Sequence, residues 1–175
     1  MTIATLAAED YNSRKPLSPL WPPESITVPL KYSQVNEHLK GEDLIPKYAQ
    51  KGDAGCDVRA NIPHTIWLGE GDRKLIPTGI SVAIPEGYEI QVRPRSGLAL
   101  KNGISLANCV ATIDAGYRGE VGVLLINHGG MPFRIDPGMR IAQLVMSKFE
   151  TISWQVVEEL PTSERGEKGF GSSGV

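Results

Sequence analysis

From Ile26 onward, apolar and polar residues alternate in short stretches closed by turns, and this rhythm constrains the fold more than any other feature. Ile80, Val82 and Ile84 alternate with Ser81 and Ala83 before a turn at 85–87, after which Tyr88, Ile90 and Val92 alternate with Glu89, Gln91 and Arg93. A period of two sends successive side chains to opposite faces, as in half-buried strands, and this pair predicts an antiparallel hairpin. Further strands are expected over 64–68, 73–78, 106–113, 118–127, 132–135, 140–149 and 151–158. Strands at this spacing predict an all-β fold, a sandwich or a barrel. The chain has 19 glycines and 13 prolines among 175 residues, nearly one in five against a usual ~12 %, which suits many turns and disfavours a helical bundle. One short helix is expected, with Ser96 as its N-cap, good helix formers at 98–101 and Gly103 as its stop.

Composition changes at both ends of this pattern. Residues 1–25 hold Pro16, Pro19, Pro22 and Pro23 with serines between them, a composition that cannot build a helix. They read as a flexible arm, or as an arm that packs Leu20 and Trp21 on a neighbouring subunit. Residues 26–160 form the expected β core. The tail, 161–175, is glycine-rich and has no aliphatic residue between 166 and 174, so it reads as a segment that is mobile or orders on a ligand.

Several function classes are disfavoured. A formal charge of −2 offers no field-driven grip on nucleic acid. No stretch approaches the ~20 apolar residues of a membrane span, and the first residues lack the basic and apolar regions of a targeting signal. Cys56 and Cys109 are too few for a disulfide framework and read as reduced thiols, so a cytoplasmic location is expected. His38, His64 and His128 lie far apart with no zinc-ligand spacing, and no GxSxG elbow is present.

Five segments carry residues suited to chemistry. Arg93-Pro-Arg-Ser-Gly-Leu-Ala99 brings two guanidiniums, a hydroxyl and a helix start together, which suits a phosphate and equally fits a capped helix with solvated arginines. Asp114-Ala-Gly116 reads as the turn of a hairpin spanning 106–127, with Asn108 on the incoming strand and Tyr117 beside the carboxylate; a ring and hydrogen-bonding groups there suit a nucleoside. Asp53-Ala-Gly-Cys-Asp57 places a carboxylate at the head of a strand, where Asp57 could hold a hydrated Mg²⁺. Gly138 to Val145 opens a strand with Arg140 and Gln143. The tail Arg165-Gly-Glu-Lys-Gly-Phe-Gly-Ser-Ser-Gly174 fails as a P-loop, because the Walker spacing puts Ser172 where Lys is required. It fits a lid, with Phe170 as a stacking ring and Arg165 and Lys168 meeting anionic charge.

In order and spacing, DAGCDVRA (53–60), PRSGLA (94–99), ATIDAGYRGEV (111–121), RIAQLV (140–145) and RGEKGFGSSG (165–174) resemble the five motifs of the homotrimeric dUTP pyrophosphatases, the dUTPases. The resemblance spans about 26–175. It implies a jelly-roll-like β-barrel, a homotrimer with sites between subunits, and hydrolysis of dUTP to dUMP and pyrophosphate. That reaction keeps uracil out of DNA and supplies dUMP for thymidylate synthesis. It further implies that Asp114 activates the attacking water and that Asp57 holds Mg²⁺ through water. Arg95, Ser96, Gly97, Arg140 and Gln143 would serve the phosphates, Tyr117 the deoxyribose and Asn108 the uracil edge. Arg165, Lys168, Gly169, Phe170, Gly171 and Ser172 would close over the site. Cys56, Ala111 and Lys168 depart from residues frequent in the family, and none removes a named role.

A dCTP deaminase of the same superfamily would carry a catalytic glutamate where this chain has Leu124, which leaves no proton shuttle for that chemistry. A catalytically idle scaffold with a regulatory partner would be expected to lack Asp114, Tyr117 or the tail, and all three are present.

Overall fold

The computed structural model describes residues 25–33, 37 and 39–167. The chain runs through β1 (Leu30–Tyr32), α1 (Gly41–Leu44), β2 (Lys47–Tyr48), β3 (Gly55–Arg59), β4 (Ile66–Leu68), β5 (Arg73–Pro77), β6 (Ile80–Val82) and β7 (Tyr88–Arg93). It continues through α2 (Ser96–Asn102), β8 (Ile104–Leu106), β9 (Ala111–Ile113), β10 (Gly122–Asn127), β11 (Phe133–Ile135) and β12 (Arg140–Lys148). All pairings among the described residues are antiparallel. The largest sheet has the order β2-β3-β12-β7-β9; β5-β10-β8 form a second, and β1-β6 and β11-β4 form two ribbons. The expected all-β fold is therefore present, as packed antiparallel sheets.

Period two governs burial as expected. Along β10, Val123, Leu125 and Asn127 point inward while their neighbours are half-buried, and Ile90 and Val92 of β7 do the same. These side chains meet Val58, Ile76, Ile80, Ile104, Ile135 and Ile141 in one apolar core. Burial of such residues at roughly 25 cal/mol per Å² is what drives the sheets together.

Strand partners differ from those expected. The turn at 85–87 exists, with Tyr88 N–H donating to the Pro85 carbonyl at 3.2 Å, but β6 and β7 do not pair with each other. β6 pairs with β1, and β7 with β12 and β9. Both strands face the same core from different sheets, because alternation fixes the face a strand buries and leaves its neighbour open. The expected strand 106–113 is broken by a turn at 107–110, which carries the chain from the second sheet to the largest one; Asn108 lies in this turn rather than on a strand. β9 and β10 likewise belong to different sheets, so residues 114–121 form a crossing loop and not a hairpin. Residues 151–158 form no strand: Ile152, Trp154 and Val156 are 70 %, 84 % and 97 % exposed, and their alternation finds no sheet edge among the described residues.

Ser96 is the first helical residue of α2 rather than its N-cap. Arg95 holds the cap position without a side-chain bond, and its carbonyl accepts the N–H groups of Leu98 and Ala99. Gly103 ends the helix at φ 68°, left-handed backbone that glycine adopts without strain. No described helix is long and apolar enough to cross a membrane.

Candidate active site

Three of the predicted segments meet on the largest sheet. Asp57 lies in β3, Arg140 and Gln143 in β12, and Arg95 at the corner between β7 and α2. Asp57 Oδ1 accepts a bond from Arg95 Nε at 2.8 Å, and Oδ2 accepts one from Arg140 Nη1 at 3.0 Å. Arg95 Nη1 also donates to the Arg140 carbonyl at 3.3 Å. A register shift between Arg140 and Ala142 marks an irregularity where β12 leaves β3, a feature that re-aims side chains at sheet edges. Two guanidiniums thus converge on one carboxylate and keep further N–H groups for other acceptors.

Gln143 pairs in register with Asp57 and donates from Nε2 to the Pro94 carbonyl at 3.0 Å. Its amide fills the space beside Gly55, where a Cβ would stand 2.4 Å from Oε1. The glycine of the Asp53–Asp57 segment is therefore needed for close approach. Asp57, Gly55, Arg93 and Gln143 line an open hollow of about 360 Å³. Ser96 and Gly97 begin α2 next to Arg95, and apart from the chain neighbours and the helix's own backbone no atom lies within 4 Å of where a Gly97 side chain would be.

Cys56 follows the strand alternation onto the other face, where its Sγ donates to the Leu144 carbonyl at 3.6 Å. Burial pushes its thiol pKa up, and the adjacent Asp57 charge adds to the rise. Such a thiol stays protonated and is a poor nucleophile.

Asp114 and Tyr117 lie elsewhere. Tyr117 N–H donates to the Asp114 carbonyl at 3.0 Å in a tight turn, and both residues line a hollow of about 290 Å³ with Leu75, Thr112 and Glu120. Tyr117 Oη donates to the Glu120 carbonyl at 2.9 Å. Within one chain this hollow is remote from Asp57. Asp57, Gln143 and Arg93 share a register row; Asp114 lies one strand beyond β7 and four residues along, past the Ile90–Ile113 pair. With strands ~4.8 Å apart and a rise of ~3.3 Å per residue, the two backbone positions are about 20 Å apart along the sheet.

The remaining predicted residues are more scattered. Arg165 is exposed near the end of the described chain, in a turn closed by Gly166 N–H to the Ser163 carbonyl at 3.1 Å. Asn108 is exposed in the 107–110 turn. Lys168, Gly169, Phe170, Gly171 and Ser172 lie outside the described residues, as does nearly all of the 1–25 arm. No group of three or more His, Cys, Asp or Glu side chains among the described residues could hold a metal ion unaided. Sequence reasoning gave no role to Gly119 and Glu120, which contact the Tyr117 side chain; their one signal was their place inside the segment 111–121, just after the tyrosine.

Arginine forks in one place and a ring-walled carboxylate in another suit ligands anionic at one end and aromatic at the other, which places the chain among nucleotide-handling β proteins. The chain belongs to the dUTPase family, whose model matches residues 42–174. The deoxyuridine 5'-triphosphate nucleotidohydrolase of Fusobacterium nucleatum is 54 % identical over 130 residues, covering 74 % of this chain and 89 % of that one. The enzyme of that name from Orientia tsutsugamushi is 44 % identical over 146 residues, covering 83 % and 98 %. Among solved structures, the dUTPase of Staphylococcus bacteriophage 80alpha with dUpNHpp superposes with a TM-score of 0.73 at 31 % identity, covering 86 % of this chain and all of that one.

Proposed function

We propose that this chain hydrolyses dUTP to dUMP and pyrophosphate in a site assembled from several copies of itself. The activity follows from membership of the dUTPase family across 42–174 and from close relatives named for that reaction. Neither a dCTP deaminase nor an idle scaffold is favoured.

The division of labour is our reading of the residues. Asp114 accepts a proton from a water whose oxygen bonds to the α-phosphorus; the bond from that phosphorus to the bridging oxygen breaks, and pyrophosphate departs. A carboxylate is a weak base at neutral pH, so catalysis leans on holding that water in line and on charge stabilisation. Arg95, Arg140 and Gln143 receive phosphate oxygens, with the backbone of Ser96 and Gly97 beside them. Tyr117 lies against deoxyribose where a 2′-hydroxyl would clash, and Asn108 reads the uracil edge. Arg165 closes on the γ-phosphate, and Lys168 to Ser172 cover the site with Phe170 on the base.

A divalent ion fits this donor set in one particular way. Mg²⁺ keeps several waters and is commonly bound by one or two carboxylates plus substrate phosphates. Asp57 is the carboxylate placed for that, through water, and its arginines can pass to the phosphates. When bound, the ion offsets charge on the triphosphate and orients it.

Assembly from several copies is favoured by the separation of the two halves of the site, and the resemblance to the homotrimeric family makes three the number we propose. About 20 Å between Asp57 and Asp114 exceeds what one triphosphate group spans from its nucleoside, so the Asp114 hollow of one copy would face the Asp57 cluster of another. The test is pyrophosphate release from dUTP, dCTP, dTTP and UTP in parallel, with Mg²⁺ and then with EDTA. Release from dUTP alone, suppressed by EDTA, is expected; ammonia from dCTP, or no turnover of any nucleotide, overturns the reading.

A further inference from the structure

We propose that Glu120 is a positioning residue that sets the Tyr117 ring and thereby the choice between deoxyribose and ribose; this rests on the reading of Tyr117 as the neighbour of the sugar. An exposed phenol ordinarily samples several rotamers. Here two contacts restrict it. Its hydroxyl donates to the Glu120 carbonyl at 2.9 Å. Its ring end lies over Gly119, where a Cβ would stand 2.4 Å from Oη and 2.6 Å from Cζ. The ring can therefore be only as well placed as the backbone at 119–120.

That backbone is tied to the core through the Glu120 side chain. Glu120 Oε1 accepts the Gly79 N–H at 2.7 Å, a charge-assisted bond. On the next residue, Val121 N–H donates to the Ile80 carbonyl at 2.8 Å and its carbonyl accepts the Thr78 hydroxyl at 2.5 Å. The 78–80 turn is itself immobilised. Thr78 is fully buried, and Gly79 has φ +72° with no room for a side chain, since a Cβ there would stand 2.5 Å from the Ser33 carbonyl oxygen and 2.4 Å from Asn61 Nδ2. Asn61 Nδ2 in turn donates to the Ser33 carbonyl at 2.7 Å. Two hydrogen bonds, joined through the covalent frame of Glu120, thus link the 78–80 turn at its carboxylate to the Tyr117 hydroxyl at its backbone carbonyl. The carboxylate serves as an acceptor aimed at a backbone N–H, a task that an amide oxygen of equal reach also performs.

The experiment measures kcat and KM for dUTP and for UTP, with thermal melting, in Glu120→Ala, Glu120→Gln, Tyr117→Phe and the double variant of Glu120→Ala with Tyr117→Phe. Glu120→Ala is expected to lower the dUTP-over-UTP ratio of kcat/KM by about fivefold, the scale of one net hydrogen bond. Glu120→Gln is expected to keep the ratio within about twofold of wild type, since its amide oxygen can accept the same bond. Tyr117→Phe should lower it like Glu120→Ala, and the double variant should be no worse than the worse single one, because both act on one ring. A Glu120→Ala enzyme with unchanged discrimination overturns the proposal whatever its melting temperature. A glutamine variant as impaired as the alanine one, or additive losses in the double variant, also overturns it. Should Glu120→Ala fail to fold, Tyr117→Phe carries the same expectation, and unchanged discrimination in it is equally decisive. Absence of dUTP turnover in the wild type is a separate failure, of the underlying function.

Discussion

Asp57 and Arg95, 38 positions apart in sequence, form a 2.8 Å ion pair between a central strand and the corner where β7 gives way to α2, and Arg140 takes the other carboxylate oxygen at 3.0 Å. The carboxylate is thus neutralised by the two guanidiniums that would serve the phosphates. Transfer of the arginines to a triphosphate would free Asp57 for a hydrated cation, so nucleotide and Mg²⁺ should bind cooperatively. Asp57→Asn should raise the Mg²⁺ concentration for half-maximal dUTP turnover by at least about tenfold, the usual cost of losing an outer-shell partner. Its melting temperature should change little, because partly exposed pairs contribute about 0–1 kcal/mol. An unchanged Mg²⁺ titration would remove Asp57 from the metal's surroundings.

Asp114 occupies the first position of the turn closed by Tyr117 N–H, and both residues line one hollow. Asp114→Asn keeps the shape and removes the proposed proton acceptor. Turnover should fall by about 10²–10⁴-fold while dUTP affinity, read by calorimetry, stays within a few-fold of wild type. Near-normal turnover would reassign the base.

Gly55→Ala tests the close approach of Gln143. The added methyl would stand 2.4 Å from Oε1, so the amide must leave the Pro94 carbonyl. KM for dUTP should rise by about three- to tenfold, the net scale of one hydrogen bond. Melting should stay near that of the wild type, because alanine loses less backbone entropy than glycine on folding and so offsets part of the clash. Equal falls in KM performance and melting would indicate a general packing defect instead.

Much of this site was readable from residue order because its parts are local. Gly55 and Asp57 share a strand, Arg95 to Gly97 share a strand-to-helix corner, and Asp114 and Tyr117 share a turn. What was not readable depends on pairing. β6 and β7 follow each other through a good turn, yet their hydrogen bonds go to β1, β9 and β12, which alternation cannot select. The meeting of Arg140 with Asp57 across 83 positions has the same origin: it needs β3 and β12 to be neighbours. Glu120 was overlooked for a different reason. Its importance lies in a bond to the Gly79 backbone, and backbone partners leave no residue-type signature.

The two thiols should behave differently. Cys109 is exposed, whereas burial and then the Asp57 charge raise the pKa of Cys56 above its ordinary value. A maleimide probe at pH 7 should label Cys109 fast and Cys56 slowly. The linkage has a definite sign. With the folded pKa above the unfolded one, the native state holds this proton more tightly, so its contribution is complete below the unfolded pKa and is lost as pH rises through the folded value. The urea midpoint should therefore drop on the alkaline side, and Cys56→Ala should flatten that drop. Equal labelling rates at both positions would contradict the burial argument.

Beyond β12, the alternating Ile152, Trp154 and Val156 stand 70 %, 84 % and 97 % exposed, an arrangement that is unfavourable unless another surface covers them. Each large apolar side chain would contribute roughly 1.5–3 kcal/mol if fully buried. Two truncations separate this segment from the glycine-rich tail beyond it. Ending the chain after Glu164 keeps 151–160 and removes Arg165 with the glycine-rich tail; the proposed trimer should persist by light scattering while dUTP turnover falls at least about 10²-fold, as loss of the proposed closing element and its water exclusion implies. Ending it after Glu150 removes the apolar residues as well, and the assembly should then dissociate at micromolar concentration or melt well below the longer truncate. A trimer equally stable after both cuts would show that 151–160 covers nothing in the assembly, and full activity after the first would remove the lid role from the tail.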